Sequence, residues 1–222
     1  MKTVLITGGA QGLGASLARE FIKNNYKVII GYNTSFDSAL KLKDEINVDV
    51  IKLDITNEED IKNVFYNYKI DLLINNASIS MDNEIEYKSK EEFMKVLEVN
   101  LVGTFMMCKY AVSNGIKEII NISSTDSIDT YSTLNIDYSS SKAGLNIVTK
   151  TFALNYHDLR VIGILPNWID TESVLSMNPD YLKSELKRIN QSELLKKEEV
   201  AKRIYEIYND KSIKSGELVR IG

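Results

Sequence analysis

Seven short apolar runs, rich in β-branched residues and separated by segments of helical spacing, do most to limit how this chain can fold. They are TVLIT (3–7), KVIIGY (27–32), VDVIKL (48–53), DLLIN (71–75), KEIINI (117–122), LRVIGIL (159–165) and GELVRI (216–221). Near-continuous apolar runs of this length read as strands buried on both faces. Between them the apolar residues recur at helical spacing, as at Leu13, Leu17, Phe21 and Ile22, or at Ile61, Val64, Phe65 and Tyr68. Strands alternating with helices predict βαβ units, and hence an α/β fold with a doubly wound parallel sheet of about seven strands covered on both faces. One departure lies between Leu165 and Gly216, where a loop, a short helix around Pro179 to Ile189 and a second around Glu198 to Tyr208 are expected.

A chain of 222 residues with 44% hydrophobic side chains can bury one full-sized core, and residues 1–222 are read as a single domain. The 27 basic and 31 acidic residues give a net charge of −4 and are interspersed, without the basic stripe that nucleic acid needs. No apolar run approaches a membrane span, and MKTVLITGG enters the first strand without a signal-peptide core, so a cytoplasmic protein is expected. The single cysteine, Cys108, sits in the apolar stretch TFMMCKY as a buried packing residue, and the single histidine, His157, as a helix-end residue. That leaves too few soft ligands for a zinc site, so no metal is expected, and little support for a histidine-activated nucleophile.

The turn after the first run, TGGAQGLG (Thr7 to Gly14), carries glycines at 8, 12 and 14 between a strand and an amphipathic helix. There the backbone must turn sharply and let a diphosphate approach the helix N-terminus. A ligand-free glycine turn is the bland alternative, which the position in the first βαβ unit disfavours. Further on, Tyr138 and Lys142 in YSSSK stand four apart, on one face of a helix that begins near IDYSSSKAGL. A phenol with an ordinary pKa of about 10 exchanges protons poorly at neutral pH, and a neighbouring ammonium lowers that value. Ser124 falls at the end of a strand, where ligands of open α/β sheets bind. Taken singly, Ser123 and Ser124 could merely end a strand, Asn100 could satisfy backbone groups in a long helix from Lys90 to Val112, and Tyr138 could pack on Phe152.

TGGAQGLG, LDIT (53–56), NNAS (75–78), VNLVG (99–103), INISS (120–124), YSSSK (138–142) and LPNWIDTE (165–172), in this order and spacing, resemble the classical short-chain dehydrogenase/reductase family over essentially the whole chain. The pattern is most similar to the 3-oxoacyl-[acyl-carrier-protein] reductase branch. The resemblance implies a Rossmann sheet of order 3-2-1-4-5-6-7, reversible carbonyl reduction with a nicotinamide cofactor, and catalytic Asn100, Ser124, Tyr138 and Lys142. Tyr138 would exchange the proton, Ser124 orient the substrate oxygen, Lys142 also hold the nicotinamide ribose, and Asn100 keep a water linking the lysine to solvent. Thr125 competes with Ser124, because the loop to Tyr138 is one residue longer than the commonest spacing; the INISS context favours Ser124.

The same resemblance implies cofactor contacts from Gly8, Gln11, Gly12, Leu13 and Gly14, from Tyr32, Asn33 and Thr34, from Asp54 and Ile55, from Asn76 and Ala77, and from Ile169 and Thr171, besides Tyr138 and Lys142. Asp54 reads almost as well as the N-cap of the next helix. No carboxylate stands in GYNTS (31–35) to repel a 2′-phosphate, so NADP(H) is favoured over NAD(H), although no arginine follows the second strand. Asn167 replaces the usual glycine after Pro166, a place where asparagine best tolerates positive φ. Residues 172–191, with Leu175, Met177, Tyr181 and Leu182, are expected to form a partly apolar substrate lid. The partners expected are a small carbonyl or alcohol substrate and, by family analogy, a second copy in a homodimer or homotetramer. A redox sensor without turnover is the rival; it would ordinarily lack the Tyr-x3-Lys pair. An assembly subunit supporting a catalytic homologue has less to recommend it.

Overall fold

The computed structural model describes Met1–Gly222. Its seven strands are β1 (Thr3–Thr7), β2 (Lys27–Tyr32), β3 (Asp49–Lys52), β4 (Leu72–Asn75), β5 (Glu118–Ile122), β6 (Arg160–Pro166) and β7 (Leu218–Ile221). They pair in the order β3-β2-β1-β4-β5-β6-β7 with every ladder parallel, as the alternation predicts. Parallel strands need crossovers, which the helices α1 (Gly12–Lys23), α2 (Phe36–Ile46), α3 (Glu58–Asn67), α4 (Lys90–Leu97), α5 (Thr104–Ser113), α6 (Ile136–Asn155), α7 (Glu172–Leu175), α8 (Pro179–Arg188) and α9 (Lys197–Asn209) supply.

The strand period of two sorts the core into two layers. Val4, Ile6, Val28, Ile30, Leu72, Ile74, Ile162 and Ile164 point one way, onto α1, α2 and α9. Leu5, Ile29, Ile51, Leu73, Ile119 and Val161 point the other way, onto α3, α5 and Phe152 of α6. Each large side chain taken fully out of water in this manner stabilises the fold by about 1.5–3 kcal/mol. Cys108 is wholly buried, accepts from Asn75 Nδ2 at 3.2 Å, and its thiol is pushed up to about 12 by that burial. His157 is exposed just past α6. No helix is long and apolar enough to cross a membrane, and no group of three or more His, Cys, Asp or Glu side chains is arranged around a metal position.

The helix expected from Lys90 to Val112 is interrupted. Between α4 and α5 the segment Glu98–Gly103 takes a wider π turn, which turns the Asn100 side chain inward to zero exposure. Asn57, with its side chain accepting from the Glu59 and Asp60 amides, caps α3. Asp54 instead accepts from the Thr56 amide and hydroxyl, so the N-cap alternative for Asp54 falls away.

Candidate active site

The order of the sheet reverses between β1 and β4, and the crevice outside the carboxyl ends of those strands is where open α/β folds bind ligands. A cavity of about 790 Å3 lies there, running from the end of β2 past the first turn to the start of α6 and the segment after β6. Its size suits a dinucleotide-sized ligand together with a small substrate.

The first turn is built for close approach. Gly8 has φ +61°, and a Cβ there would come within 2.8 Å of the Ala77 backbone; a Cβ on Gly14 would meet the Gly8 carbonyl at 2.3 Å. Asn76 at the end of β4 clamps the turn, donating Nδ2 to the carbonyls of Thr7 and Gly8 at 3.1 and 3.0 Å, while the Thr7 hydroxyl accepts from the amides of Asn76 and Ala77. The N-terminus of α1 opens onto the cavity through Gly12 and Leu13, with Gln11 as its N-cap. This cradle fits a diphosphate: the close contacts that only glycine allows at positions 8 and 14 hold the turn in place, and the amide end of α1 faces the cavity.

Every other sequence-predicted contact except Gly14 and Asn100 lines the same cavity: Gly8, Gln11, Tyr32, Asn33, Thr34, Asp54, Ile55, Asn76, Ala77, Ser124, Tyr138, Lys142, Ile169 and Thr171. Gly14 lies one layer back, in the turn that shapes it. Asn100 is behind the wall, donating to the Ile79 carbonyl at 2.8 Å and to Ser141 Oγ at 3.1 Å, and accepting from the Ile79 amide at 2.8 Å. It therefore ties the segment after β4 to α6.

Lys142 Nζ donates to the Ile122 carbonyl at 2.8 Å and stands 5.4 Å from the Tyr138 ring centroid. Burial draws its pKa down to about 7. The expected lowering of the phenol by this lysine is not what the surroundings produce. Burial, reinforced by the Asp126 carboxylate, pushes Tyr138 up, and only the Ser124 hydroxyl pulls the other way. Tyr138 does not pack on Phe152, whose ring meets Phe105 and Tyr156 instead.

Ser124 and Thr125 separate cleanly. Ser124 lines the cavity and accepts from the Asp126 amide at 3.1 Å. Thr125 has zero exposure and donates to Asn167 Oδ1 at 2.6 Å, bracing the segment after β6. Asn167 does not adopt the positive φ that its replacement of glycine suggested. Its amide bonds the Ile221 carbonyl at 2.9 Å, so pairing with β7 and the Thr125 bond hold it in an ordinary conformation.

The start of α6 is tied to its surroundings through Asn135 and Ser141. Asn135 is the N-cap of α6. Ser141 is fully buried, donating to the Tyr138 carbonyl at 2.6 Å while accepting from Asn100. Ser78, the last residue of NNAS, is exposed at the cavity edge.

Several lining residues are not among the predicted catalytic or cofactor contacts. Trp168, Val174 and Met177 are apolar, Asp126 and Asn135 polar. Asp126 had one visible signal, an acid two residues beyond Ser124. Lys52, at the end of β3, donates to the backbone and side-chain oxygens of Asn33, bringing an ammonium to the end of β2. In the segment 172–191, α8 is anchored through Arg188, which pairs with the buried Glu185 at 2.8 Å and donates to the Thr130 carbonyl. Val174 and Met177 face the cavity, whereas Leu175 is exposed.

The chain matches the short chain dehydrogenase family over residues 2–182. It is 32% identical over 187 residues to 3beta-hydroxysteroid dehydrogenase 1 of Eggerthella lenta, covering 77% of this chain and 71% of that protein. It is 30% identical over 219 residues to glucose 1-dehydrogenase 2 of Bacillus subtilis, covering 90% and 84%. Among solved structures, the 3-ketoacyl-(acyl-carrier-protein) reductase of Brucella melitensis, complexed with NADH, superposes with a TM-score of 0.87 at 24% identity over 99% of this chain and 96% of that one. With a glycine-turn cradle at the switch point of its parallel sheet and two thirds or more of these relatives' lengths covered, the chain belongs to the short-chain dehydrogenase family.

Proposed function

We propose that this short-chain dehydrogenase family oxidoreductase, which acts on alcohol and carbonyl groups, reduces a small carbonyl compound with Tyr138 as proton donor and NADP(H) as the preferred cofactor. The observation that carries the proton-donor role is Tyr138 beside both Ser124 and Lys142 in one cavity with the diphosphate cradle. When bound, a reduced nicotinamide supplies the hydride to the carbonyl carbon. The Ser124 hydroxyl donates to the substrate oxygen, and Tyr138 transfers its phenolic proton to that oxygen as the alcohol forms. Burial keeps the phenol protonated through neutral pH, the form that reduction needs. Lys142 stabilises the phenolate left behind and regains a favourable partner in doing so. Asn100 is a positioning residue that holds α6 through Ser141.

Ser124→Ala is expected to lower kcat by about 10²-fold, as loss of one donor to a developing oxyanion does. Thr125→Val is expected to leave kcat within about threefold and to cost about 1–3 kcal/mol of stability, because Asn167 Oδ1 loses its donor. Steady-state kinetics and urea unfolding of the two variants check this; a larger kcat loss in Thr125→Val would transfer the role.

The preference for NADP(H) rests on the missing carboxylate at the end of β2 and on the Lys52 ammonium held there by Asn33. We expect kcat/KM to be about tenfold higher with NADPH than NADH, and Lys52→Ala to cut that ratio toward unity, as loss of one charged hydrogen bond predicts. The assay is oxidation of each nucleotide against a panel of ketones and β-ketoacyl thioesters. Tight nucleotide binding with no turnover on any carbonyl would favour the sensor instead. Residues 172–191 serve as the substrate lid, through Val174 and Met177. A homodimer or homotetramer joined through α5 and α6 is supported by the exposed Phe105, Ile147 and Leu154; light scattering at monomer mass would refute it.

A further inference from the structure

Beside Tyr138, the cavity holds a hydrogen-bond acceptor that no protein donor matches. Asp126 is 5% exposed, and its backbone amide bonds Ser124 Oγ. Its Oδ1 accepts from the Thr130 hydroxyl. Its Oδ2 receives no donor from the protein, yet is not sealed off as an orphaned buried atom, and the residue lines the cavity. No cation lies within ion-pair distance of it; Arg188, the cation whose charge reaches it, is committed to Glu185 and the Thr130 carbonyl. Asn135 is 6% exposed and also lines the cavity. Its Nδ2 donates to Asp82 Oδ1 at 3.1 Å, which fixes the amide's orientation and leaves its Oδ1 closed off from the cavity, so Asp126 is the acceptor a ligand meets.

Covering the free Asp126 carboxylate oxygen without supplying a donor costs free energy that an apolar substrate would not recover. A β-ketoacyl chain offers no donor here. An ammonium group is disfavoured because Lys142 already brings a positive group to the same cavity. A hydroxyl group satisfies this acceptor without adding charge, and Trp168, Val174 and Met177 supply apolar lining for the C–H face of such a molecule. We propose that the substrate is a hydroxyl-bearing carbonyl compound of the polyol or sugar class, whose hydroxyl next to the reacting carbon donates to Asp126. This deepens the carbonyl-reductase reading and rests on it.

The test compares kcat/KM for 2-hydroxycyclohexanone, cyclohexanone and 4-piperidone, which share one ring shape and differ in a hydroxyl or a charged amine. The hydroxyketone is expected to lead cyclohexanone by about 30-fold or more, the value of one hydrogen bond to a charged group. Asp126→Ala is expected to bring that ratio below about threefold, and Asp126→Asn, which keeps the shape and an acceptor, to fall between. Equal rates for hydroxylated and plain ketone, preference for the piperidone, or an Asp126→Ala loss equal for both ketones would overturn the proposal while leaving the reductase reading intact. No turnover on any ketone or β-ketoacyl thioester would remove the reductase reading itself. A binding arm separates the two cases: Trp168 is the only tryptophan, and in the complex with oxidised nucleotide its fluorescence should respond to 1,2-cyclohexanediol at about 30-fold lower concentration than to cyclohexanol. Equal responses to both would overturn the proposal.

Discussion

Tyr138→Phe is expected to leave the dissociation constant for the nucleotide within about threefold and to lower kcat by about 10³-fold or more, toward the upper end of what positioned proton transfer contributes. The ring remains to fill its place over Lys142, 5.4 Å from Nζ, so the loss isolates the proton. A phenylalanine enzyme with near-normal turnover would put the donor elsewhere. Lys142→Met carries a second signature, in stability. Burial holds Lys142 near pKa 7 in the folded chain, against about 10.4 when unfolded. Below pH 7 both states are protonated and the folded state bears the full cost of the buried ammonium. As pH rises from about 7 to about 10.4 the unfolded chain binds the extra proton, and wild-type stability gains relative to Lys142→Met. Urea unfolding of the two nucleotide-free proteins at pH 7 and pH 9.5 measures the difference. A difference that stays constant across this interval would show that Lys142 is solvated in the folded protein.

The sheet was legible because its signal is local: seven β-branched runs such as KVIIGY and TVLIT coincide with β2 and β1 residue for residue. The first turn and Tyr138–Lys142 were legible because their chemistry depends on spacing alone. What escaped depends on contacts between distant segments. The π turn at Glu98–Gly103 is invisible to a periodicity that runs on from α4 into α5, yet it is what turns Asn100 inward. The phenol's raised pKa could not be anticipated, since burial and the approach of Asp126 to Tyr138 exist only in the folded chain. Asn167 looked like a substitute for a left-handed glycine, and only the bonds to Thr125 and Ile221 reveal another role. Lys52 lies in β3 with no motif, and reaches the end of β2 only because parallel pairing sets Lys52 opposite Tyr32.

The helix that carries Tyr138 is also fixed by a buried ion pair, and breaking one side of it should unfold far more than it disables. Lys88 and Asp137 lie 3.1 Å apart with side chains 4% and 0% exposed. Asp137 Oδ1 accepts from the Tyr138 amide at 2.9 Å, and Lys88 also donates to the Met81 carbonyl. The pair thus joins the segment after β4 to the first turn of α6. Lys88→Met leaves a carboxylate buried without its partner, at a cost of about 3–5 kcal/mol. For a chain of this size that corresponds to a fall in Tm of about 10 °C. Lys88→Met combined with Asp137→Asn removes the stranded charge and keeps an acceptor for the Tyr138 amide, so at least about half of the loss should return. Thermal unfolding of the three proteins separates charge from packing. If the double variant is as unstable as the single one, lost packing of the lysine stem explains the effect. If the double variant is stable but slow, the ion pair also sets the angle at which α6 presents its phenol.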